Sequence, residues 1–566
     1  MIRLSGGEAV VRMLTEHGVE IAFGMGGFQP LPYYDALARQ DKIRHVLIRD
    51  EKHGAFAADA WARVSNRPAV ADATLGPGAT NLVSGAAESF GASVPLLLLT
   101  GEVNSLIAGR AATQESDQIG MLKPSVKASI KIDRIERIPE LMRRAVTIST
   151  AGRPGPVHVD VPEEIMHGSH EFEERDLIAD PDSISVGGRR TRPEGAAVEQ
   201  AAARIRKAQR PLIIAGGGIH LSAAYEELRR LAEAQTIPVA YTISGKGSIS
   251  DDNALCVGLV GRYSRFANEL LAASDLLIAV GCKLGEIATA RWTVVPAGLP
   301  IVHLDVDPTE IGKVYPVSVG LVGDAGLGLS DLDAALADHK PAAERRQERI
   351  GTIDAARRAW QQQAAPDYAS AEQPLHMARV LAELRRAAPP GTIVVADGGF
   401  AAHWSALLYD VNEVGRTYIA NRGHAAIGYG LPGAIGASLA APGQPVVALC
   451  GDNGFAMAVA ELETARRVGA RVICVVVDNA TLGYVKALQH GLYDGRFISV
   501  DFLDVDYAEV ARAFGCHGER VSEPTELGPA LSRAFEHDGT SVLDVLITTD
   551  PARMLPGIDT RAVKSD

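Results

Sequence analysis

The chain is poor in cysteine, in excess positive charge and in long apolar runs, and each shortage excludes something. Its five cysteines, Cys256, Cys282, Cys450, Cys474 and Cys516, are odd in number, far apart and free of any CxxC pair. A disulfide framework or a zinc site is therefore not expected, and a reducing compartment is. Fifty-six Lys plus Arg face 69 Asp plus Glu, a balance of −13. Nucleic acid and anionic membrane surfaces, which are gripped by basic patches, drop out as main partners. The longest apolar runs, such as those at 95–99 and 472–477, stop far short of the roughly 20 residues a membrane helix needs, and they read as buried strands. Arg3, Glu8, Arg12, Glu16 and His17 interrupt the apolar positions of the first twenty residues, so no signal-peptide core is visible there. The expectation is a soluble, cytoplasmic protein with a small-molecule substrate.

What is present is core-forming material. With 47% hydrophobic and 22% charged residues the 566-residue chain has the composition of a globular protein. At roughly 150 residues per domain, the length predicts three or four domains. From Glu8 to about Pro162, short apolar runs alternate with helical patterns, which indicates a parallel sheet covered by helices. A polar stretch at 168–194 reads as a linker with few positions to bury. A second α/β unit starts with "RPLIIAGGGIH" at Arg210, and a third begins at "GTIVVADGG". Between them, 329–386 reads as a solvated, charge-rich helix plus linker. The expected fold class is α/β, with three doubly wound parallel-sheet domains at 1–167, 190–345 and 370–550 and a tail at 551–566.

The most informative segment is "VVALCGDNGFAMAVAELETARRVGARVICVVVDNATLGYVK". One apolar strand delivers Asp452 at its tip, and a second delivers Asn479, 27 residues later. That is the length of a strand–helix–strand crossover, so both side chains emerge at the same sheet edge, where ligands of open α/β sheets bind. A carboxylate, an amide oxygen, a backbone carbonyl and phosphate oxygens suit the six-coordinate, hard-oxygen preference of Mg²⁺. Gly451 and Gly454 let the backbone come close to phosphates, and the helix after Asn453 aims its N-terminus at them.

This arrangement resembles the diphosphate-binding motif of thiamine-diphosphate enzymes, usually GDG followed about two dozen residues later by NN. Here it reads Gly451-Asp452-Asn453 and Asp478-Asn479, with Asn453 for the usual glycine and Asp478 for the first asparagine. The resemblance implies Asp452, Asn479 and the backbone carbonyl of Thr481 as metal ligands. A competing GxGxxG match, Gly428 to Gly433, would be a dinucleotide fingerprint, but no strand immediately precedes Gly428.

The other end of the chain carries "VLIRDEKHGAFAADAWAR" and "ATLGPGATNLVSGAAESFGASVPLLLLTGE", with "GRPGPVHVDVPEEI" further on. These closely resemble the pyrimidine-binding domain of the acetolactate synthase family. The resemblance implies that Glu51 hydrogen-bonds N1′ of the aminopyrimidine and promotes the tautomer that takes the proton from thiazolium C2. Such chemistry needs a buried carboxyl that holds or shares a proton. "IIAGGGI", "SGKGSIS" and "HLDVDPTEIGK" resemble the family's central domain, and "LGYVKALQHGLYDGRF", "IGYGLPGAIGASLA" and "RMLPGI" its third domain and closing tail. By the same resemblance Ile427 stands beneath the bend of the cofactor, and Leu482, Gly483 and Tyr484 touch it.

Several positions depart from the family. Leu488 stands where anabolic members place an acceptor-selecting tryptophan. The diphosphate loop that carries Gln and His in the family is here Gly399-Phe400-Ala401-Ala402, so anchoring there must use backbone N–H groups. "KLGEI" at Lys283 replaces the flavin-associated "RFDDR", which puts FAD in doubt. Gln114 is kept, but Thr113 replaces the aromatic residue before it. Candidate substrate-facing residues are Gln114, Lys127, His403, His424, Tyr484 and Leu488; His53 reads as structural.

The resemblance as a whole implies a thiamine-diphosphate- and Mg²⁺-dependent enzyme. It would decarboxylate a 2-oxo acid, join the fragment to a second carbonyl, or do both. It also implies a homodimer or homotetramer with active sites between subunits. The alternative within the class is a lyase cleaving a 2-hydroxyacyl-CoA or a hydroxyketone, with Lys246, Arg262, Arg265 and Arg291 as candidates for a nucleotide pocket. A non-catalytic homologue would have no need of Glu51, Asp452 and Asn479 together.

Overall fold

The computed structural model describes residues 1–556. Its frame is three six-stranded sheets, every internal pairing of which is parallel. Runs such as Val472–Asp478 and Leu96–Glu102 are buried at every position. An uninterrupted apolar run is what a strand covered by helices on both faces requires. The expected fold class holds.

In the first sheet the spatial order is Arg44–Leu47, Ile21–Gly24, Ala69–Ala73, Leu96–Glu102, Pro156–Pro162, Ala128–Lys131. The third sheet runs Tyr418–Ala420, Ile393–Ala396, Val446–Gly451, Val472–Asp478, Ser541–Leu546, His517–Val521. Counted in chain order within each domain, both read 2-1-3-4-6-5. The central sheet runs Cys256–Leu259, Val239–Tyr241, Pro211–Ala215, Leu276–Val280, Ile301–Asp305, Val319–Val322, or 3-2-1-4-5-6.

First and third domains meet along two helices, Glu51–Ser65 and Gly430–Ala440. Alanines at 55, 57, 58, 60 and 62 are all buried, and a Cβ on Gly436 would lie 2.0 Å from the Ala57 carbonyl oxygen. Only small residues permit backbones to approach this closely. Phe56 and Tyr429 close the contact with ring centroids 5.2 Å apart.

One expectation needs correcting. The stretch 168–194 is not a free linker throughout, because Ser169–Phe172 pairs antiparallel with Ile2–Ser5 and buries Phe172, and Leu177 is buried beyond it. Two apolar side chains in a polar segment suffice to pin it to the first core. The helix Ala343–Tyr368, by contrast, buries only Arg349, Ile353 and Ala364, in keeping with a solvated connector. Of the tail, Met554 accepts the Trp404 indole N–H at 3.0 Å, and 557–566 lie outside the described residues. Among the described residues no helix is long and apolar enough to cross a membrane.

Candidate functional site

Asp452 opens the helix Asp452–Ala458 directly after the strand Val446–Gly451 and is buried. One carboxylate oxygen accepts the Asn453 N–H at 2.7 Å and the other the Thr481 N–H at 3.2 Å. Thr481 is brought back to it by a tight turn. Ala480 sits at φ +52° and donates its N–H to Asp478 at 2.9 Å, while the Thr481 hydroxyl donates to the Val500 carbonyl at 2.7 Å. A left-handed alanine costs about 1–2 kcal/mol, and these bonds hold it there. Asn479, between the two, is buried. The tips of adjacent strands are thus tied into one unit.

Three carboxyls crowd one another at these strand tips. Burial and the neighbouring Asp478 push the Asp452 carboxyl up to about 7, and burial and Asp478 push Asp544 up to about 7. Asp478 Oδ2 and Asp544 Oδ1 are buried without a hydrogen-bond partner. Arg520 reaches Asp544 at 3.5 Å. Among the described residues no group of three His, Cys, Asp or Glu forms a metal cage. The donors on this turn are of other kinds: one carboxylate on Asp452, one amide on Asn479 and the backbone carbonyl of Thr481. That set suits Mg²⁺. A Cβ on Gly451 would meet nothing within 4 Å, so space on that side is open to a ligand. Gly454 has another reason to be small, since its Cβ would lie 2.2 Å from Asp397 Oδ2.

Asp397 is a residue that sequence reasoning missed. It ends the strand Ile393–Ala396 and accepts the N–H groups of Gly398 at 2.7 Å, Gly428 at 3.1 Å and Tyr429 at 3.1 Å. Burial pushes its carboxyl up to about 6. It knots together the two loops that carry Gly399 and Ile427. Gly399, at φ +71°, caps the helix Phe400–Leu408, and Ile427 lies beside it, with Cγ2 3.9 Å from where a Gly399 Cβ would be. Ile427 is half-buried and belongs to none of the apolar cores. The Gly428 to Gly433 match has a packing explanation, since a Cβ on Gly430 would strike Cys450 Sγ at 2.4 Å and one on Gly433 the Tyr429 ring at 2.6 Å.

Tyr484 and Leu488 are half-buried on the helix Gly483–Leu492. Gly483 is hemmed in by Asn479 and Phe400, at 3.1 and 3.2 Å from its missing Cβ. His403, buried on the Phe400–Leu408 helix, meets the Tyr484 ring edge-on at 5.2 Å and the Tyr263 ring at a tilt at 5.3 Å. Leu482 is the N-cap of the Gly483–Leu492 helix, and Ala401 is buried in the first turn of Phe400–Leu408. The structure thus gathers the third-domain candidates other than His424 around one sheet edge.

The first-domain candidates divide. Glu51 begins its helix behind the N-cap Asp50, is buried, and accepts the Asn81 amide N–H at 3.0 Å; its other oxygen lies 3.1 Å from the Cβ position of Gly78. That places it against the loop following Ala69–Ala73, at the carboxyl edge of the first sheet. His53 is buried 3.1 Å from Glu461. Gln114 is exposed, at φ +65°, and its carbonyl packs where Gly76 lacks a Cβ. The buried amide nearby is Gln118, which accepts the Gly76 N–H at 3.1 Å and donates to the Gly101 carbonyl at 2.8 Å. Lys127 caps a helix, donating to the Ile148 and Ala151 carbonyls at 2.5 and 2.9 Å, and burial beside Arg153 pushes it down to about 8. The remaining third-domain candidate, His424, is exposed, and its backbone N–H is bound by Glu88.

In the central domain a cleft of about 450 Å³ opens at the switch of strand order, lined by Gly216–Gly218 and 281–288. Lys283 there donates to the Gly91 carbonyl at 2.6 Å. Lys246 is fully buried against the Tyr241 hydroxyl and the Ala406 carbonyl. Arg262 pairs with Glu286 at 2.9 Å, and Arg265 with Asp410 at 2.5 Å. Those three cations are engaged within the chain, Lys246 also with Asp251 at 3.6 Å, while the fourth candidate, Arg291, is exposed.

Comparison with known proteins agrees over nearly the whole length. Three family models match in succession: thiamine pyrophosphate enzyme N-terminal TPP binding domain over 4–121, central domain over 198–332 and C-terminal TPP binding domain over 397–545. A probable acetolactate synthase large subunit of Methanocaldococcus jannaschii is 35% identical, covering 98% of this chain and 93% of its own. The acetolactate synthase large subunit of Corynebacterium glutamicum is 33% identical over 100% and 90%, and the isozyme 2 large subunit of Escherichia coli 31% over 96% and 96%. The chain belongs to the thiamine pyrophosphate enzyme family in all three of its domains.

Proposed function

We propose that this protein uses thiamine diphosphate and Mg²⁺ to decarboxylate a 2-oxo acid and to join the fragment to a second carbonyl, in the manner of acetolactate synthase. The observation that carries the reading is the tied unit Asp452–Asn479–Thr481, a partly anionic cluster in want of a cation, with the half-buried Ile427 beside it. When bound, the cofactor supplies a nucleophilic thiazolium carbon and an electron sink. This chain's residues do the rest. Asp452, Asn479 and the Thr481 carbonyl would hold the metal and through it the diphosphate. Backbone N–H groups at the start of the Phe400–Leu408 helix favour an anion, as helix N-termini do. Glu51 would hold or share a proton with N1′ of the pyrimidine. Tyr484 and Leu488, half-buried on the Gly483–Leu492 helix, would face the reacting carbonyl compounds, with His403 behind Tyr484. Leu488 and Thr113, in place of bulkier aromatics, support an acceptor or donor different from that of the branched-chain enzymes.

Active sites between two copies of the chain fit the surface. Phe497, Ile498, Phe502 and Leu503 are exposed just beyond the Gly483–Leu492 helix, and Leu106 and Ile107 are exposed in the first domain. Contiguous exposed apolar side chains mark association surfaces. The described cysteines are all free, four of them buried, as suits a reducing cytoplasm.

The test is a titration with thiamine diphosphate and Mg²⁺ followed by fluorescence, together with CO₂ release across 2-oxo acids with and without aldehyde or keto-acid acceptors. Saturable, Mg²⁺-dependent binding and CO₂ release from at least one 2-oxo acid are expected. Absence of cofactor binding would overturn the reading.

A further inference from the structure

The loop that presents Ile427 is gripped from another domain by a residue with no part in the scheme above. Glu88 lies on the first-domain helix Val83–Ala92 and is completely buried. Its carboxylate accepts three consecutive backbone N–H groups of the third-domain loop: Gly423 at 2.9 Å on one oxygen, and His424 at 2.7 Å and Ala425 at 3.0 Å on the other. Ala425 is held at φ +60°, a left-handed setting that an alanine does not adopt unaided. Arg63, also buried, pairs with Glu88 at 2.8 Å and with Asp59 at 2.6 Å. The backbones themselves touch, for a Cβ on Gly423 would lie 2.0 Å from the Glu88 carbonyl oxygen. Two residues past this grip comes Ile427, and directly after it Gly428 is held by Asp397.

We propose that Glu88 is the positioning residue for Ile427: a first-domain carboxylate that fixes the third-domain loop and so sets the height of the support beneath the cofactor. The inference rests on the thiamine-diphosphate reading of Ile427. A buried carboxylate ringed by N–H donors is strongly directional, because each donor is charge-assisted and none competes with water. Glu88→Gln keeps the size but gives one carbonyl oxygen and an amide N–H, which faces loop donors with a donor. Arg63 retains Asp59 in that variant, so no buried cation is stranded.

Two measurements on Glu88→Gln, Ile427→Ala and the double variant test this. In the cofactor-free protein, backbone amide exchange over 422–428 should lose protection in Glu88→Gln while the rest of the chain keeps its pattern. With thiamine diphosphate and Mg²⁺ bound, deuterium exchange at thiazolium C2 should slow at least about tenfold in either single variant, with cofactor affinity within a few-fold of the parent. The double variant should be no slower than Ile427→Ala. Unchanged amide protection in Glu88→Gln overturns the proposal. So does a double variant whose losses multiply, because Glu88 would then act other than through Ile427. If the parent protein fails to bind thiamine diphosphate, the functional reading falls by itself, and the amide exchange still decides whether Glu88 holds the loop.

Discussion

Glu51 and Asp160 show how one functional group, the carboxyl, serves two purposes in the same domain. Among the described residues Glu51 meets one hydrogen-bond donor, Asn81, and the role proposed for it is chemical. Glu51→Gln should lower turnover by about a hundredfold or more while cofactor affinity stays within a few-fold, as steady-state kinetics and titration would read. Asp160 is a structural carboxyl, reached by Thr100 at 2.7 Å and Gln118 at 2.5 Å, and burial beside Glu102 pushes it up to about 7. An unfolded aspartate titrates at about 3.9. Between these values the folded protein keeps a proton that the unfolded chain has released. The stabilisation is complete below about pH 4 and is lost as pH rises through about 7. Asp160→Asn removes that loss, so its melting temperature should exceed the parent's at pH 8 and not at pH 4. An equal difference at both pH values would contradict the assignment.

At the scale of elements, the joint between Glu51–Ser65 and Gly430–Ala440 is set by backbone contact. Gly436→Ala places a methyl group 2.0 Å from the Ala57 carbonyl oxygen. The helices must separate, at a cost of about 1–3 kcal/mol, readable as a lowered denaturation midpoint. Such contacts also mark where sequence reasoning stops. Asp452 and Asn479 were legible because each ends an apolar run and their spacing equals one crossover, which is local information. Glu51 became legible through its neighbours in the chain. Asp397 follows an apolar run as Asp452 does, but what it binds, the loop at 428–429, becomes its neighbour only when two strands pair. Glu88 and the N–H groups it accepts are more than 330 positions apart, and nothing in either segment announces the other. Lys127 illustrates the reverse. A lysine near a family-like stretch suggests substrate, yet the free carbonyls at the end of Ile138–Thr150 claim its ammonium.

At the scale of the whole molecule, the arrangement of domains predicts a mixing result. If Glu51 of one copy serves the metal site of another, Glu51→Gln and Asp452→Asn are each inactive alone. Mixed after reversible dissociation, half of the dimers would be hybrids with one intact site out of two. About a quarter of the parent's activity should therefore return, as two-fold symmetry dictates. No recovery despite proven subunit exchange would place both residues in one chain's site. Leu503→Asp, at a side chain 89% exposed, should weaken assembly measured by sedimentation and lower activity in parallel, leaving the far-ultraviolet spectrum unchanged.

The shared strand order of the first and third sheets has a consequence of its own. Two frames wired alike present their rims in the same strand order, so what tells them apart is what each rim carries: Glu51 with Asn81 on one, Asp452 with Asn479 on the other. On the proposed reading, a cofactor with unlike ends would then be grasped by like hands. Chemistry at either end becomes separately adjustable, since altering one rim's fittings leaves the wiring of both frames untouched.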